Sequence, residues 1–382
     1  MKTRSPWMIK TVPLIAVLWS PLAAQASEPI TLSLSGYSKW WVVGAWPSQK
    51  YQQATHSDFN SVDIKGDNEI HFKGLTQLDN GLQIGVKIEL EAGGHTDQST
   101  DPIDKSYVWV QGGFGKFQLG TDYNAASLLH ISAPDAAGLW NGPPMGVMSD
   151  YVIHRPSAVS TMYSGNQTEL DPDDNADKIS YFTPAWNGLT LGVSYVPTAN
   201  SEDDRGPTQK SPLYALGLGY ENTFGPVEVG LSLGYTEGDM QVDSASSPQA
   251  RFRAYSVGSQ LTYAGITLAA SYGNERNKYH GSLLAADATD NTGHAFDIGI
   301  QYADGPYKIS MAHYQSWVNG LYSDPGRDHI TINQISGKYT LSPGVAVMGS
   351  LGHIRYDDEA GSANPTNNNR GLALMTGLGL WF

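Results

Sequence analysis

The chain has no cysteine among its 382 residues. That excludes a disulfide framework and any thiolate metal site, so packing and hydrogen bonding alone must hold it together. Beyond the N-terminus it also lacks any apolar run near the roughly 20 residues a membrane helix needs, which excludes a helical bundle in a bilayer. Basic residues are scarce. The 23 Lys and Arg face 37 Asp and Glu, a formal charge of −14, which argues against nucleic acid as a partner. No Gly-x-Ser-x-Gly elbow and no His-Glu-x-x-His pair occurs, and Gly112-Gly-Phe-Gly115 lies between two strand-like runs instead of opening a helix. Nothing here calls for catalysis or a cofactor.

What is present starts with an export signal. Lys2, Arg4 and Lys10 precede a short apolar stretch, Val12 to Trp19, and Ala24-Gln25-Ala26 supplies the small-x-small cleavage pattern. Residues 1–26 are expected to be a signal peptide, with a mature chain over 27–382 that starts at Ser27. Removing three positive charges and no acids leaves −17. The mean hydropathy of −0.32 is that of a soluble protein. A barrel strand, however, needs only about 9–11 residues, and only alternate ones meet lipid, so an integral membrane barrel has a similar average.

The organising signal is alternation of period two. Leu82, Ile84, Val86, Ile88 and Leu90 share one face; Gln83, Gly85, Lys87 and Glu89 share the other. A helix would scramble those sets. Asp79-Asn80-Gly81 before them is a tight turn. The pattern repeats to the C-terminus, with short turns such as Ala264-Gly265, Asp304-Gly305-Pro306 and Ser342-Pro343-Gly344 alternating with long polar stretches. It predicts sixteen strands near 30–46, 62–78, 82–91, 104–111, 116–120, 178–184, 189–196, 212–222, 227–238, 253–263, 266–276, 294–303, 307–318, 329–341, 345–358 and 370–382. The phase slips near Asn333–Ile335 and near His353–Ile354 suggest bulges. An even strand number, with short turns on one side and long loops on the other, indicates an all-β transmembrane antiparallel barrel.

Three features favour lipid over a dry core as the neighbour of the apolar face. Trp40, Trp46, Tyr195, Tyr214, Tyr235, Tyr263, Tyr272 and Trp317 stand at strand ends as an interfacial girdle would. The opposite faces are rich in Gly, Ser, Thr and charge. The last strand carries Leu372, Leu374, Leu378, Leu380 and Phe382 on one face and ends on that phenylalanine.

Three stretches resemble the Gram-negative general porin family, especially its alphaproteobacterial members. They are Ile30-Thr-Leu-Ser-Leu-Ser-Gly36, Tyr107-Val-Trp-Val-Gln-Gly-Gly-Phe-Gly-Lys-Phe-Gln-Leu-Gly120 and Lys178-Ile-Ser-Tyr-Phe-Thr-Pro-Ala-Trp-Asn-Gly-Leu-Thr-Leu-Gly-Val-Ser-Tyr195. The resemblance covers essentially the whole mature chain. It implies a sixteen-stranded homotrimer in outer-membrane lipid and lipopolysaccharide. It also implies that Phe382 is the assembly signal read by the barrel-assembly machinery. The third long loop, residues 121–177, is expected to fold inward and constrict the pore. The Pro-Glu-Phe-Gly-Gly type motif of enterobacterial members is absent from it, which leaves the path of the loop open.

Selectivity in such a pore comes from lumen size and fixed charge. By alternation Lys39, His71, Lys73, Lys87 and Lys105 face inward, with Glu69 and Glu89 beside them. Asp135, Asp150 and Glu169 are the candidate acids on the loop opposite. Tyr37, Trp41, Tyr107 and Trp109 face inward by the same count. No metal is expected, although the dense acidic run of Asp171, Asp173, Asp174 and Asp177 is a weak calcium candidate. The expected activity is passive diffusion of small hydrophilic solutes and ions, weakly cation-selective. The alternatives are a channel selective for a sugar or other nutrient, and a closed structural barrel.

Overall fold

A computed structural model of the chain describes residues 29–93, 103–138, 152–199, 210–240, 250–278, 289–321, 324, 326–361 and 364–382. The expected signal peptide lies outside these residues. Sixteen strands follow one another: β1 (Thr31–Pro47), β2 (Val62–Gln77), β3 (Gln83–Glu91), β4 (Ile103–Gly112), β5 (Gly115–Thr121), β6 (Asp177–Phe182), β7 (Leu189–Val196), β8 (Lys210–Phe224), β9 (Val227–Met240), β10 (Ala250–Tyr263), β11 (Ile266–Lys278), β12 (Thr289–Asp304), β13 (Tyr307–Leu321), β14 (Asp328–Ser342), β15 (Val345–Asp357) and β16 (Asn369–Trp381). Each strand pairs antiparallel with its sequence neighbour, and β1 pairs with β16, so the sheet is a closed barrel. Two short helices sit in loops, α1 (Gln49–Thr55) after β1 and α2 (Ala125–Leu128) after β5. The polar stretch around α1 gave no sign of a helix.

The tight turns follow from residues that tolerate positive φ. At Asn187-Gly188 φ is 48° and 87°, and at Ala264-Gly265 it is 49° and 81°. Positive φ at both central residues matches the twist of the flanking strands. The aromatic residues read as a girdle all lie on the outer surface. Trp40, Trp46, Tyr195, Tyr214, Tyr235 and Tyr263 are exposed there, and Tyr272 and Trp317 are half-covered.

The expected bulges in β14 and β15 do not occur. The ladder runs without a break through Asn333↔His353 and Ile335↔Leu351, and its irregularity falls later, between Thr340 and Ser342. The polarity changes, while the register holds. In this sector Ile330, Ile332, Ile354 and Tyr356 point inward and are buried, whereas Asn333 and His353 point outward. On the outer face the His313 and Asn333 side chains hydrogen-bond across the pair at 2.9 Å. An inward apolar face beside an outward polar one reads, in sequence, as a slip of one residue.

The barrel closes at its last residue. Gly36 N–H donates to the Phe382 carbonyl at 2.9 Å, and Phe382 N–H donates to the Gly36 carbonyl at 3.1 Å. The Phe382 side chain is exposed on the outer face with Leu378 and Leu380. Deleting Phe382 removes that pair of closing bonds and one apolar side chain from the rim. We expect a smaller fraction of heat-resistant folded barrel in isolated membranes, read by gel mobility before and after heating. An undiminished folded fraction would contradict this role.

Candidate functional site

The segment between β5 and β6 enters the barrel and lies against its inner wall. Asn124 organises the entry. Its side chain caps α2 by accepting from Ala126 N–H at 2.9 Å and Ser127 N–H at 3.1 Å. Its Nδ2 donates to the Leu170 carbonyl at 2.8 Å and to Asp173 at 2.6 Å, which ties the start of the loop to its end. The chain then crosses the wall strand by strand. Ala125 N–H donates to Ser194 Oγ on β7, Ile131 N–H to Ser232 Oγ on β9, and Ala136 N–H to Ser310 Oγ on β13, at 2.8–3.0 Å.

Three wall carboxylates take further loop amides. Asp297 on β12 accepts Ala133 N–H at 2.8 Å and Thr168 Oγ1 at 2.8 Å. Glu275 on β11 accepts Tyr163 N–H at 2.6 Å and Ser164 Oγ at 2.5 Å. Asp328 on β14 accepts Ser160 N–H at 2.7 Å. Glycines allow the close approach: a methyl group at Gly217 or Gly258 would overlap the carbonyl oxygens of Ala125 or Ile131.

Between these polar ties the loop and wall form an apolar core. Ala133, Val152, Ile153, Val159 and Met162 of the loop pack with Tyr314, Ile330, Ile332, Ile354, Tyr356 and Met375 of the wall, extending to Trp41 and Val43 on β1. A second cluster joins Ala126 and Leu170 to Val196, Leu213 and Phe252. At about 25 cal/mol per Å² of buried apolar surface, such a core is a strong anchor. The inward faces of β13–β16 are therefore dry where the sequence suggested water. Trp41 faces inward as expected but is 1% exposed within this core.

Among the described residues the apolar core reaches β1 at Trp41, Val43 and Ala45, and the basic residues read from the sequence stand on the rest of the inner face of β1–β5. Lys39 pairs with Asp67 at 2.8 Å. Lys105 pairs with Glu89 at 2.9 Å and Asp104 at 2.8 Å, and Lys87 also pairs with Glu89. His71 Nε2 lies 2.6 Å from Glu69, which also accepts from Tyr37 Oη. Lys73 and Lys116 lie against aromatic rings, 5.8 Å and 5.5 Å from the Trp109 ring centre. Cation–π contact of this kind suits a partly desolvated cation. Lys39, Lys87 and Lys105 are thus substantially neutralised by acids of their own wall.

From Thr161 to Asp171 the loop turns at Tyr163-Ser164 and bends from Asn166 to Glu169, while burial alternates. Met162, Ser164, Asn166, Thr168 and Leu170 are buried toward the wall; Gln167, Glu169 and Asp171 are on the other, half-open side. Tyr123 lies between the two sides: the Lys105 ammonium is 4.6 Å from its ring centre, and Glu169 and Asp171 act on it electrostatically from the loop. Glu169 accepts from Ser127 Oγ at 3.2 Å, and burial pushes its carboxyl up to about 7. Burial and the neighbouring Asp173 and Glu169 hold Asp171 well above the ordinary carboxylate range.

The remaining candidates are distributed differently. Asp135 accepts from Gln334 Nε2 at 2.8 Å and thus fastens the loop to β14. Asp150 lies outside the described residues. The acidic run does not converge on one point. Asp173 binds Asn124 and lies 3.4 Å from Lys178, Asp174 and Asp177 are exposed, and Asp171 is half-buried with its Oδ1 enclosed. Sequence reasoning passed over Asp297, Glu275 and Asp328. Each is an isolated acid at an inward position of a late strand, a pattern equally natural in a wet wall.

The Glu169 carboxyl titrates higher in the folded chain than in an unfolded one, so folding favours its neutral form. As pH rises from about 4.5 through about 7, ionisation adds a negative charge to the lumen and progressively weakens the seating of the loop. The cation-to-anion permeability ratio in a planar bilayer should therefore fall when the pH is lowered from 8 to 5. Glu169→Gln should remove the component centred near pH 7. An identical pH profile in the variant would contradict this assignment.

A family model described as Gram-negative porin matches residues 14–359. An uncharacterized protein of Rickettsia bellii (strain RML369-C) is 23% identical over 379 residues, covering 81% of this chain and 83% of the relative. The major outer membrane protein of Pasteurella multocida is 26% identical over 136 residues, 31% of this chain and 38% of that protein. Among solved structures, the anion-selective porin from Comamonas acidovorans superposes with a TM-score of 0.62 at 15% identity, covering 93% of this chain and all of that one. In-vitro folded OmpT of Vibrio cholerae, described as a trimer form, gives 0.61 at 12% identity, with 93% of this chain and 100% of that one covered. With the family match spanning nearly the whole described barrel, the chain belongs to the Gram-negative porin family, and its place is the outer membrane.

Proposed function

We propose that this outer-membrane porin passes small hydrophilic solutes and ions by passive diffusion along the side of the lumen bounded by β1–β5, with weak cation preference, as a homotrimer. The observation that carries the reading is the division of the lumen. One side is filled by the docked loop; the other carries charged and aromatic side chains that, among the described residues, lie outside the two apolar clusters of the loop. Such a passage favours hydrated polar solutes and does no chemistry. The trimer rests on the porin fold, since one solved neighbour is described in trimer form.

The cation preference rests on a balance. Lys39, Lys87 and Lys105 are paired with Asp67, Glu89 and Asp104, and Glu169 adds a negative charge from the loop as it ionises near pH 7. The mature chain adds a net charge of −17 in all, and an acidic vestibule concentrates cations. Mouth charges act over a screening length of about 30 Å at 0.01 M salt but only about 3 Å at 1 M. The reversal potential across a salt gradient should therefore be cation-selective at low ionic strength and fade toward zero at high salt. An anion-selective potential at low salt would put Lys73 and Lys116 in control.

Excising residues 134–149 breaks the loop between its Ala133 tie and the Ser160 tie. Single-channel conductance should rise and larger neutral solutes should pass in a liposome-swelling assay. Unchanged conductance and exclusion limit would show that the loop does not limit the path. A sugar-selective channel is the second reading, favoured by Tyr107 and Trp109, whose ring centres lie 5.9 Å apart in the lumen wall. Saturable block of the ion current by one sugar would establish it.

A further inference from the structure

Three carboxylates meet at the rim that carries the long loops. Asp328 opens β14, and Asp358 and Glu359 follow β15. One oxygen from each lies within 4.8 Å of those of the other two. Asp328 is fully buried and Asp358 is 4% exposed. Among the described residues, no lysine, arginine or histidine makes an ion pair with any of them. Like charges buried this closely repel strongly unless a proton or a cation intervenes.

The hydrogen bonds around the cluster use only part of its capacity. Asp328 accepts Ser160 N–H through Oδ2 at 2.7 Å and Glu359 N–H through Oδ1 at 2.9 Å. Glu359 Oε1 accepts Leu321 N–H at 3.0 Å, and Asp358 Oδ2 accepts Asn367 Nδ2 at 3.1 Å. Glu359 Oε2 and Asp358 Oδ1 are left buried without a donor. Gly320 backs the cluster, with φ at +73°. A methyl group there would fall 2.6 Å from Glu359 Oε2 and 2.7 Å from Asp328 Oδ2, so these two oxygens face one small space.

We propose that Asp328, Asp358 and Glu359 bind a calcium ion. Calcium takes oxygen ligands at about 2.3–2.6 Å, so oxygens on opposite sides of one ion stand up to roughly 5 Å apart, the span of this cluster. A divalent ion also satisfies the two orphaned oxygens and offsets the buried charge, which a water molecule cannot do. The site joins three segments: the returning limb of the long loop through Ser160, the β13–β14 connection through Leu321, and the β15–β16 connection through Asp358 and Glu359. Calcium there pins the loop rim to the constricting loop without entering the lumen. This site is separate from the acidic run at 171–177.

The test is isothermal titration of chelator-stripped full-length protein in detergent with calcium chloride. One saturable site per barrel is expected, with Kd on the order of 10⁻⁵–10⁻³ M. Asp358→Asn should weaken it at least tenfold, and Glu359→Gln, made in parallel in case one variant does not fold, should do the same. Heat-modifiable gel mobility reports the folded state of each. Asp177→Asn should bind as the parent does. Absence of saturable binding in the parent, or parental affinity in both folded variants, would overturn the proposal.

Discussion

The structure depends on one constraint: in a medium without water, every backbone N–H and C=O of the spanning strands must find a partner inside the protein. Each unsatisfied group costs several kcal/mol in hydrocarbon. An open sheet leaves two unpaired edges, and the pairing of β1 with β16 removes both. The reciprocal bonds between Gly36 and Phe382 complete that seam at the rim. Closure with every strand antiparallel to both neighbours also requires an even strand number. The two faces of each strand then meet different surroundings, and this is why alternation is written so plainly along the chain.

Because the constraint acts on every strand, the strand plan was legible in the sequence. Leu82 to Leu90, Val227 to Tyr235 and Leu372 to Phe382 each display two faces of opposite character, and each is a strand. Periodicity says that two faces differ; it does not say what each one touches. Ile330, Ile332 and Ile354 looked out of phase with Asn333 and His353 because the inner wall was taken to be wet. Packing of Val152, Ile153 and Val159 against that wall is contact between segments more than 150 residues apart, and no local pattern announces it. The same holds for Asp297 and Glu275, whose partners are backbone amides of the loop. Inward lysines were legible, but not their pairing with Asp67 and Asp104.

A loop held only by exposed contacts would exchange freely between positions. Here buried carboxylates, serine hydroxyls and two apolar clusters hold it along the wall from β7 to β16. A constriction built on a rigid element gives a defined aperture, and the barrel supplies that rigidity without a disulfide. The functional surface is then small. In the reading proposed above it consists of inner side chains of β1–β5 together with the half-buried side of the segment from Gln167 to Asp171, with fixed charge tuned by pairing.

The absence of native cysteine makes the central claim directly accessible. Single cysteines are introduced at Lys73, in the open wall, and at Ile332, which is fully buried beneath the loop. Each variant is treated with a charged, thiol-specific methanethiosulfonate reagent during single-channel recording. The account predicts prompt modification of Lys73→Cys with a step change in current, and no reaction at Ile332→Cys while the barrel stays folded. Equal reactivity at both positions would show that water reaches the whole lumen and that the loop does not divide it.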